Sequence, residues 1–142
     1  MRLVVTTPTA IAVNEDPVRY VRAEDFSGAF GIEPGHADFL TVLAISVVMW
    51  RDRRSVEHYV AVRGGVLRVR EGKAVEIATR EAVVDTDLKH LRSEVVATMM
   101  KDVQAEQSAR CGTLALERAA IRRIYQYLRP ADRPFEGKPP RK

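Results

Sequence analysis

A single cysteine, Cys111, stands in 142 residues, so no internal disulfide is possible, and the scarcity of thiols fits a reducing compartment. No apolar run approaches the ~18 residues a membrane-spanning helix needs. The opening Met1-Arg2-Leu3-Val4-Val5-Thr6 is too short and too strand-like to be expected as a signal peptide. Sequence-local catalytic chemistry is missing too. The three histidines, His36, His58 and His90, show no H-x-x-x-H or H-E-x-x-H spacing, and no G-x-S-x-G elbow, P-loop or G-x-G-x-x-G loop is present. Cys111 has no histidine near it in the chain. The expectation is a protein with no catalytic residue, no metal ligands and no resident cofactor.

Aromatic residues are sparse at 6%, while apolar residues at 46% and charged residues at 30% are ordinary for a globular chain. The net charge of +4 invites a nucleic-acid reading until the charges are placed. Residues 1–84 hold eleven basic and eleven acidic side chains, residues 85–128 seven and six, and residues 129–142 five and two. Most of the excess therefore lies in the last fourteen residues, and no basic face is expected within the folded part. A protein-interaction or nucleic-acid-binding module that uses the basic tail remains the alternative function.

Residues 1–84 read as β. Leu67 and Val69 alternate with Arg68 and Arg70, and Val75 and Ile77 with Glu76 and Ala78, the period of half-buried strands. Glu71-Gly72-Lys73 between them predicts a three-residue hairpin loop. Further strands are expected over 18–23, 45–50 and 58–62, with a turn at Asp52-Arg53-Arg54-Ser55. This spacing of breaks predicts an antiparallel β-sandwich.

The pattern changes near Val84. Asp85-Thr86-Asp87 supplies capping oxygens, and Leu88, Leu91, Val95, Met99 and Val103 then recur at helical steps. Cys111-Gly112 predicts a stop and Thr113 a cap for a second helix, with Leu116, Ala120, Ile124 and Leu128 stepping by four and Leu114, Ile121 and Tyr125 widening the stripe. The expected organisation is a β-sandwich over 1–84, an α-helical antiparallel hairpin over 85–128, and a disordered, basic, proline-rich tail over 129–142. Met99-Met100 reads as core filling that adapts to more than one packing partner.

The densest punctuation lies in Gly28-Ala29-Phe30-Gly31-Ile32-Glu33-Pro34-Gly35-His36-Ala37-Asp38-Phe39-Leu40-Thr41-Val42-Leu43, where a strand must stop, turn at Pro34-Gly35 and restart near Phe39. Within it His36 and Asp38 are expected to cap the turn backbone. The string resembles the G-x-F/L-G-I-x-P-G-H-A-x-x-L-T-x-L signature of the epsilon subunit of rotary ATP synthases. Val62-Arg63-Gly64-Gly65-Val66-Leu67-Arg68-Val69 is similar to that family's S-G-G-x-L-E-V segment. The likeness is strong over residues 1–84 and thins in the helices.

The resemblance implies a non-catalytic central-stalk rotor subunit of a bacterial F-type ATP synthase. Such a subunit couples ion translocation through the membrane ring to ATP synthesis and hydrolysis, and its C-terminal helices inhibit hydrolysis. Its partners would be the gamma subunit, the membrane c-ring and the catalytic alpha/beta head, at the cytoplasmic face of the bacterial inner membrane as a peripheral protein. Phe30, Gly31, Pro34, Gly35 and His36 would face gamma or the ring. Where many members carry an acid facing the ring, this chain has Ala29, with Glu33 as a nearby substitute. Some relatives bind regulatory ATP between their helices through I/L-D-x-x-R-A and later arginines. Asp87, Arg118 and Arg122 are the matching candidates here, although His90 and Leu91 stand in place of the motif's arginine and alanine.

Overall fold

Apolar side chains at every second position bury one face of an extended segment, and such faces stack. The computed structural model describes residues 1–128 and opens with eight strands. They are β1 (Arg2–Thr6), β2 (Ile11–Glu15), β3 (Tyr20–Asp25), β4 (Gly28–Ile32), β5 (Phe39–Arg51), β6 (Glu57–Arg70), β7 (Ala74–Ala78) and β8 (Ala82–Asp85). They form one sheet in the order β2-β1-β7-β6-β5-β3-β4, with β8 also paired to β6. Among the described residues only the β1–β7 pairing is parallel.

The sheet closes over its own inner face. β6 divides its partners, with residues 59–62 on β8 and residues 66–70 on β7. One core collects Leu3 and Val5 from β1, Val21 from β3, Ile32 from β4, Val48 and Trp50 from β5, Leu67 from β6 and Ile77 from β7. This is the expected β-sandwich. Two strands are much longer than expected, because β6 merges segments that the sequence pattern separates at Gly64-Gly65. Those glycines sit at φ 66° and 114°, a backbone that bends the strand without ending it. Pairing with β5 keeps a single register across them, passing from Leu43–Gly65 to Ile45–Arg63.

The strands give way to helix at Asp85. Its carboxylate accepts from Asp87 N–H at 3.0 Å, and the Asp87 carboxylate caps α1 (Leu88–His90), accepting from the N–H groups of Lys89 (2.9 Å) and His90 (3.3 Å). A π-helical stretch, Leu91–Val95, follows, and then α2 (Val96–Leu128). The wide turn lets both Val95 and Val96 reach the outer sheet face beside buried Leu91 and Met99. These pack on Ala61, Ile45, Val47, Tyr59 and Val83.

Among the described residues one long helix stands where the helical hairpin over 85–128 is expected. α2 runs unbroken through Cys111 and Gly112, where a turn was expected. Gly112 meets nothing that a side chain would disturb. A lone glycine costs a helix only about 1 kcal/mol against alanine, and the Ala, Glu, Gln and Arg residues around it carry the helix across. The chain divides into two compact units, Met1–Val103 and the residues from Gln104 onward, because the first helical turns belong to the sheet. In the second unit Leu114, Leu116, Ile121, Ile124 and Leu128 are exposed. The predicted tail, residues 129–142, lies outside the described residues.

Candidate functional site

The corner after β4 is sewn to a second turn distant in sequence. Gly35 N–H donates to the Gly72 carbonyl at 2.9 Å, and Glu71 N–H donates to Asp38 Oδ1 at 2.6 Å. The backbones meet so closely that a Cβ on Gly72 would lie 2.6 Å from Gly35 Cα. The glycine-rich corner and the β6–β7 hairpin therefore form one rigid edge. Asp38 does cap a turn backbone, but the turn is the β6–β7 loop and not its own.

His36 stays local. Its N–H closes the turn on the Glu33 carbonyl at 3.1 Å, and its Nδ1 lies 2.7 Å from the Ala37 carbonyl. The imidazole meets Phe39 edge-on at 6.0 Å, and Phe39 meets Phe30 edge-on at 5.5 Å. Phe30 and His36 thus belong to one aromatic row joined by Phe39, a residue that sequence reasoning did not single out. Gly31 points to the other face of β4, where the Tyr20 ring lies so near that a Cβ would fall 2.5 Å from the Tyr20 hydroxyl. Pro34 and Gly35 are exposed at the tip.

The outer face of β5 and β6 continues from this corner as an apolar strip. Val42 and Val66 are cross-strand partners, 56% and 43% exposed, and Leu40 beside them is 68% exposed. A cavity of about 510 Å³ lies along the strip, lined by Val4, Leu40 and Val66 and rimmed by Arg2, Arg68 and Glu76. Leu40-Thr41-Val42-Leu43 is apolar at both parities, which hid from the sequence pattern which side chains face outward.

The β3–β4 turn is braced against the same strands. Asp25 accepts from Ser27 Oγ and N–H and from Thr41 Oγ1, the last at 2.9 Å. These bonds, the Ser27 hydroxyl first, hold its carboxyl below the usual carboxylate range. Between Asp25 and Ser27, Phe26 projects with 88% of its surface exposed. Ala29 is the register partner of Glu24 across β3–β4, which places an acid on the neighbouring strand beside it.

The remaining candidates belong to different units. Asp87 is occupied as the cap of α1, and Arg118 and Arg122 are exposed, one turn apart on α2. Among the described residues no cluster of His, Cys, Asp or Glu could hold a metal ion, and no helix is long and apolar enough to cross a membrane. The arrangement combines a hydrogen-bonded edge, exposed apolar side chains and a charged rim, the composition of surfaces that dock partners.

Known proteins share this build. Residues 1–85 match the family described as ATP synthase, Delta/Epsilon chain, beta-sandwich domain. The chain is 40% identical over 131 residues to ATP synthase epsilon chain 2 of Paraburkholderia xenovorans, covering 92% of this chain and 94% of that one. It is 40% identical over 128 residues to ATP synthase epsilon chain 2 of Cereibacter sphaeroides, covering 90% and 88%. Among solved structures it superposes on a chain of the Euglena gracilis mitochondrial ATP synthase with a TM-score of 0.56 at 22% identity, covering 72% of this chain and 62% of that one. A chain of the Tetrahymena thermophila mitochondrial ATP synthase central stalk and c-ring gives 0.53 at 20% identity, covering 66% and 71%. At those identities the structures speak for the fold alone. The sandwich, its two glycine-bearing turns and the two long relatives together establish that the chain belongs to the ATP synthase epsilon-chain family.

Proposed function

We propose that this chain is a non-catalytic rotor subunit that clamps the gamma shaft to the membrane c-ring and so couples ion translocation to ATP synthesis and hydrolysis in the alpha/beta head. The observation that carries the reading is the Leu40–Val42–Val66 strip beside the locked Gly35–Gly72 edge. Torque transfer needs a stiff body, and a close-packed sandwich with a cross-linked corner is stiff. Phe30, Gly31, Pro34, Gly35 and His36 would lie in or behind the gamma and ring contact, with Phe39 and Phe26 added by the fold. The protein would work as a peripheral component at the cytoplasmic face of the bacterial inner membrane.

The helical segment supplies regulation in this reading. Leu114, Ile121, Tyr125 and Leu128 lie on one side of α2, exposed, at steps of seven, four and three. Such a stripe gains by burial on a partner, and docking in the catalytic head would block hydrolysis. ATP binding through Asp87, Arg118 and Arg122 is a separate proposal, tested by titrating ATP while following helix melting.

The deciding experiment mixes the purified chain with a gamma subunit and measures complex formation. A one-to-one complex is expected, weakened at least tenfold by Leu40→Asp, because a buried unpaired carboxylate opposes docking. Failure of the wild-type chain to bind gamma removes the reading.

A further inference from the structure

On the outer face of the sheet, strand register gathers side chains from three strands beneath the start of the helical segment. Arg22 on β3 pairs with Met49 on β5, and Met49 pairs with Tyr59 on β6. Register partners share a face, so these three lie on the side where Tyr59 and Val47 pack with Leu91 and Met99. Two residues along each strand, Tyr20, Arg51 and Glu57 form the next row on that face. Leu88 of α1 and Arg92 of the π-helical stretch close a cavity of about 210 Å³ over these rows.

Three guanidinium groups line that cavity against two carboxylates, those of Glu24 and Glu57. Glu57 is already engaged. It accepts from Arg51 Nη2 at 3.0 Å and from the Tyr59 hydroxyl at 2.8 Å, and Arg51 also lies 5.4 Å over the Tyr20 ring. Arg22 and Arg92 form no ion pair among the described residues. The Arg92 charge nevertheless reaches the same phenol. Tyr59 is held above its ordinary range first by its bond to Glu57, and the positive charges of Arg92 and Arg51 oppose that rise. The cavity thus holds one satisfied pair and two unpaired cations, one on the sheet and one on the helical segment, against the single remaining carboxylate of Glu24.

We propose that this cavity binds a small inorganic oxyanion of the phosphate class between Arg22 and Arg92, and that the bound anion fastens the first helical turns to the outer sheet face. A guanidinium presents a planar fork of N–H donors that meets oxyanion oxygens two at a time. Two forks from separate walls hold a tetrahedral anion that one surface arginine would not. The volume decides the class. Sites for drug-sized ligands run to roughly 300–1,000 Å³. A cavity of about 210 Å³ therefore suits an anion of a few atoms and not a nucleotide. An anion that touches both Arg22 and Arg92 binds only while the helix start lies on the sheet, so by mass action it favours that arrangement. The packing it would reinforce is small, resting on Leu91 and Met99 with partly buried Val95 and Val96. The inference stands on the isolated chain and does not require the rotor reading.

Calorimetric titration of the full chain with inorganic phosphate, at fixed pH and with ionic strength held constant by chloride, tests the site. Saturable binding of one phosphate per chain is expected. Arg22→Gln and Arg92→Gln should each weaken it about tenfold, the size of a charge-assisted hydrogen bond. Arg118→Gln, on α2, should leave it unchanged. Amide hydrogen exchange then reads the fastening, with β5 and β6 as internal reference. Phosphate at ten times its dissociation constant should raise protection over residues 88–103 about tenfold, and Arg92→Gln should remove most of that rise. A wild-type chain without saturable phosphate binding overturns the proposal. So does binding that survives Arg22→Gln or Arg92→Gln, binding lost in Arg118→Gln, or binding that leaves protection over residues 88–103 unchanged.

Discussion

Gly65 has a φ of 114°, and a Cβ placed on it would run into the carbonyl of Ala78 on β7. Two costs therefore add for any side chain there, a strained backbone and a displaced neighbouring strand. Gly65→Ala is expected to lower stability by at least about 2 kcal/mol, read as a shift of the urea midpoint. Its neighbour Gly64, where a Cβ would meet only the Leu43 carbonyl at 3.1 Å, should tolerate alanine better. The same economy of space explains the contact between Gly35 and Gly72. No side chain fits at Gly72, whose N–H···O-linked turn brings Gly35 Cα within 2.6 Å of where its Cβ would stand, whereas a Cβ on Gly35 would meet nothing.

Among the elements, α2 departs most from its sequence pattern. Helix stop signals at Cys111-Gly112 are local, and 33 residues of otherwise helix-compatible sequence override them. Gly112→Ala discriminates the two arrangements. In a continuous helix it should raise helix content by circular dichroism and stabilise the segment by up to about 1 kcal/mol. If Gly112 instead ended a helix in a left-handed conformation, alanine would lower both.

β6 teaches a related lesson. Its alternation was legible over Leu67–Val69 and His58–Val62, but continuity through two glycines was not, because pairing with β5 and β7 rather than propensity keeps the strand together. The first helical turns behave as part of the sheet domain. A chain cut after Val103 keeps Leu91 and Met99 on Ala61, whereas a chain cut after Val84 uncovers Ile45, Val47, Tyr59 and Val83. Both pieces are expected to fold, the shorter less stable by roughly 2–5 kcal/mol in urea denaturation. Equal midpoints would mean that this packing contributes nothing.

For the molecule as a whole, the charges that matter are surface carboxylates held by hydrogen bonds. Asp25 is lowered chiefly by the Ser27 hydroxyl, Asp52 by His58, Glu57 by the Tyr59 hydroxyl and Asp85 by the Asp87 N–H. A carboxyl lowered in the folded state binds its proton later than in the unfolded chain. Its contribution is therefore complete above about pH 5 and is lost as pH falls through the folded values. The urea midpoint should drop between pH 5 and pH 3. A midpoint that rises over that interval would contradict the assigned bonds.

Much of the architecture was written locally. Period-two alternation decided that residues 1–84 are strands, helical spacing from Leu88 to Val103 decided which side of the following segment is buried, and two glycine-bearing strings pointed to the family. These properties depend on near neighbours in the chain, which a sequence displays directly. Partnership across the fold was decided elsewhere. That Asp38 holds Glu71, that Phe39 joins Phe30 to His36, that Leu40 and Val42 face outward, and that His90 bridges Asp85 and Glu94 all depend on register and turn geometry. A shift of one residue in strand pairing would send Phe39, Leu40 and Val42 to the opposite face and part the turns that Asp38 joins, and only the folded sheet selects the register.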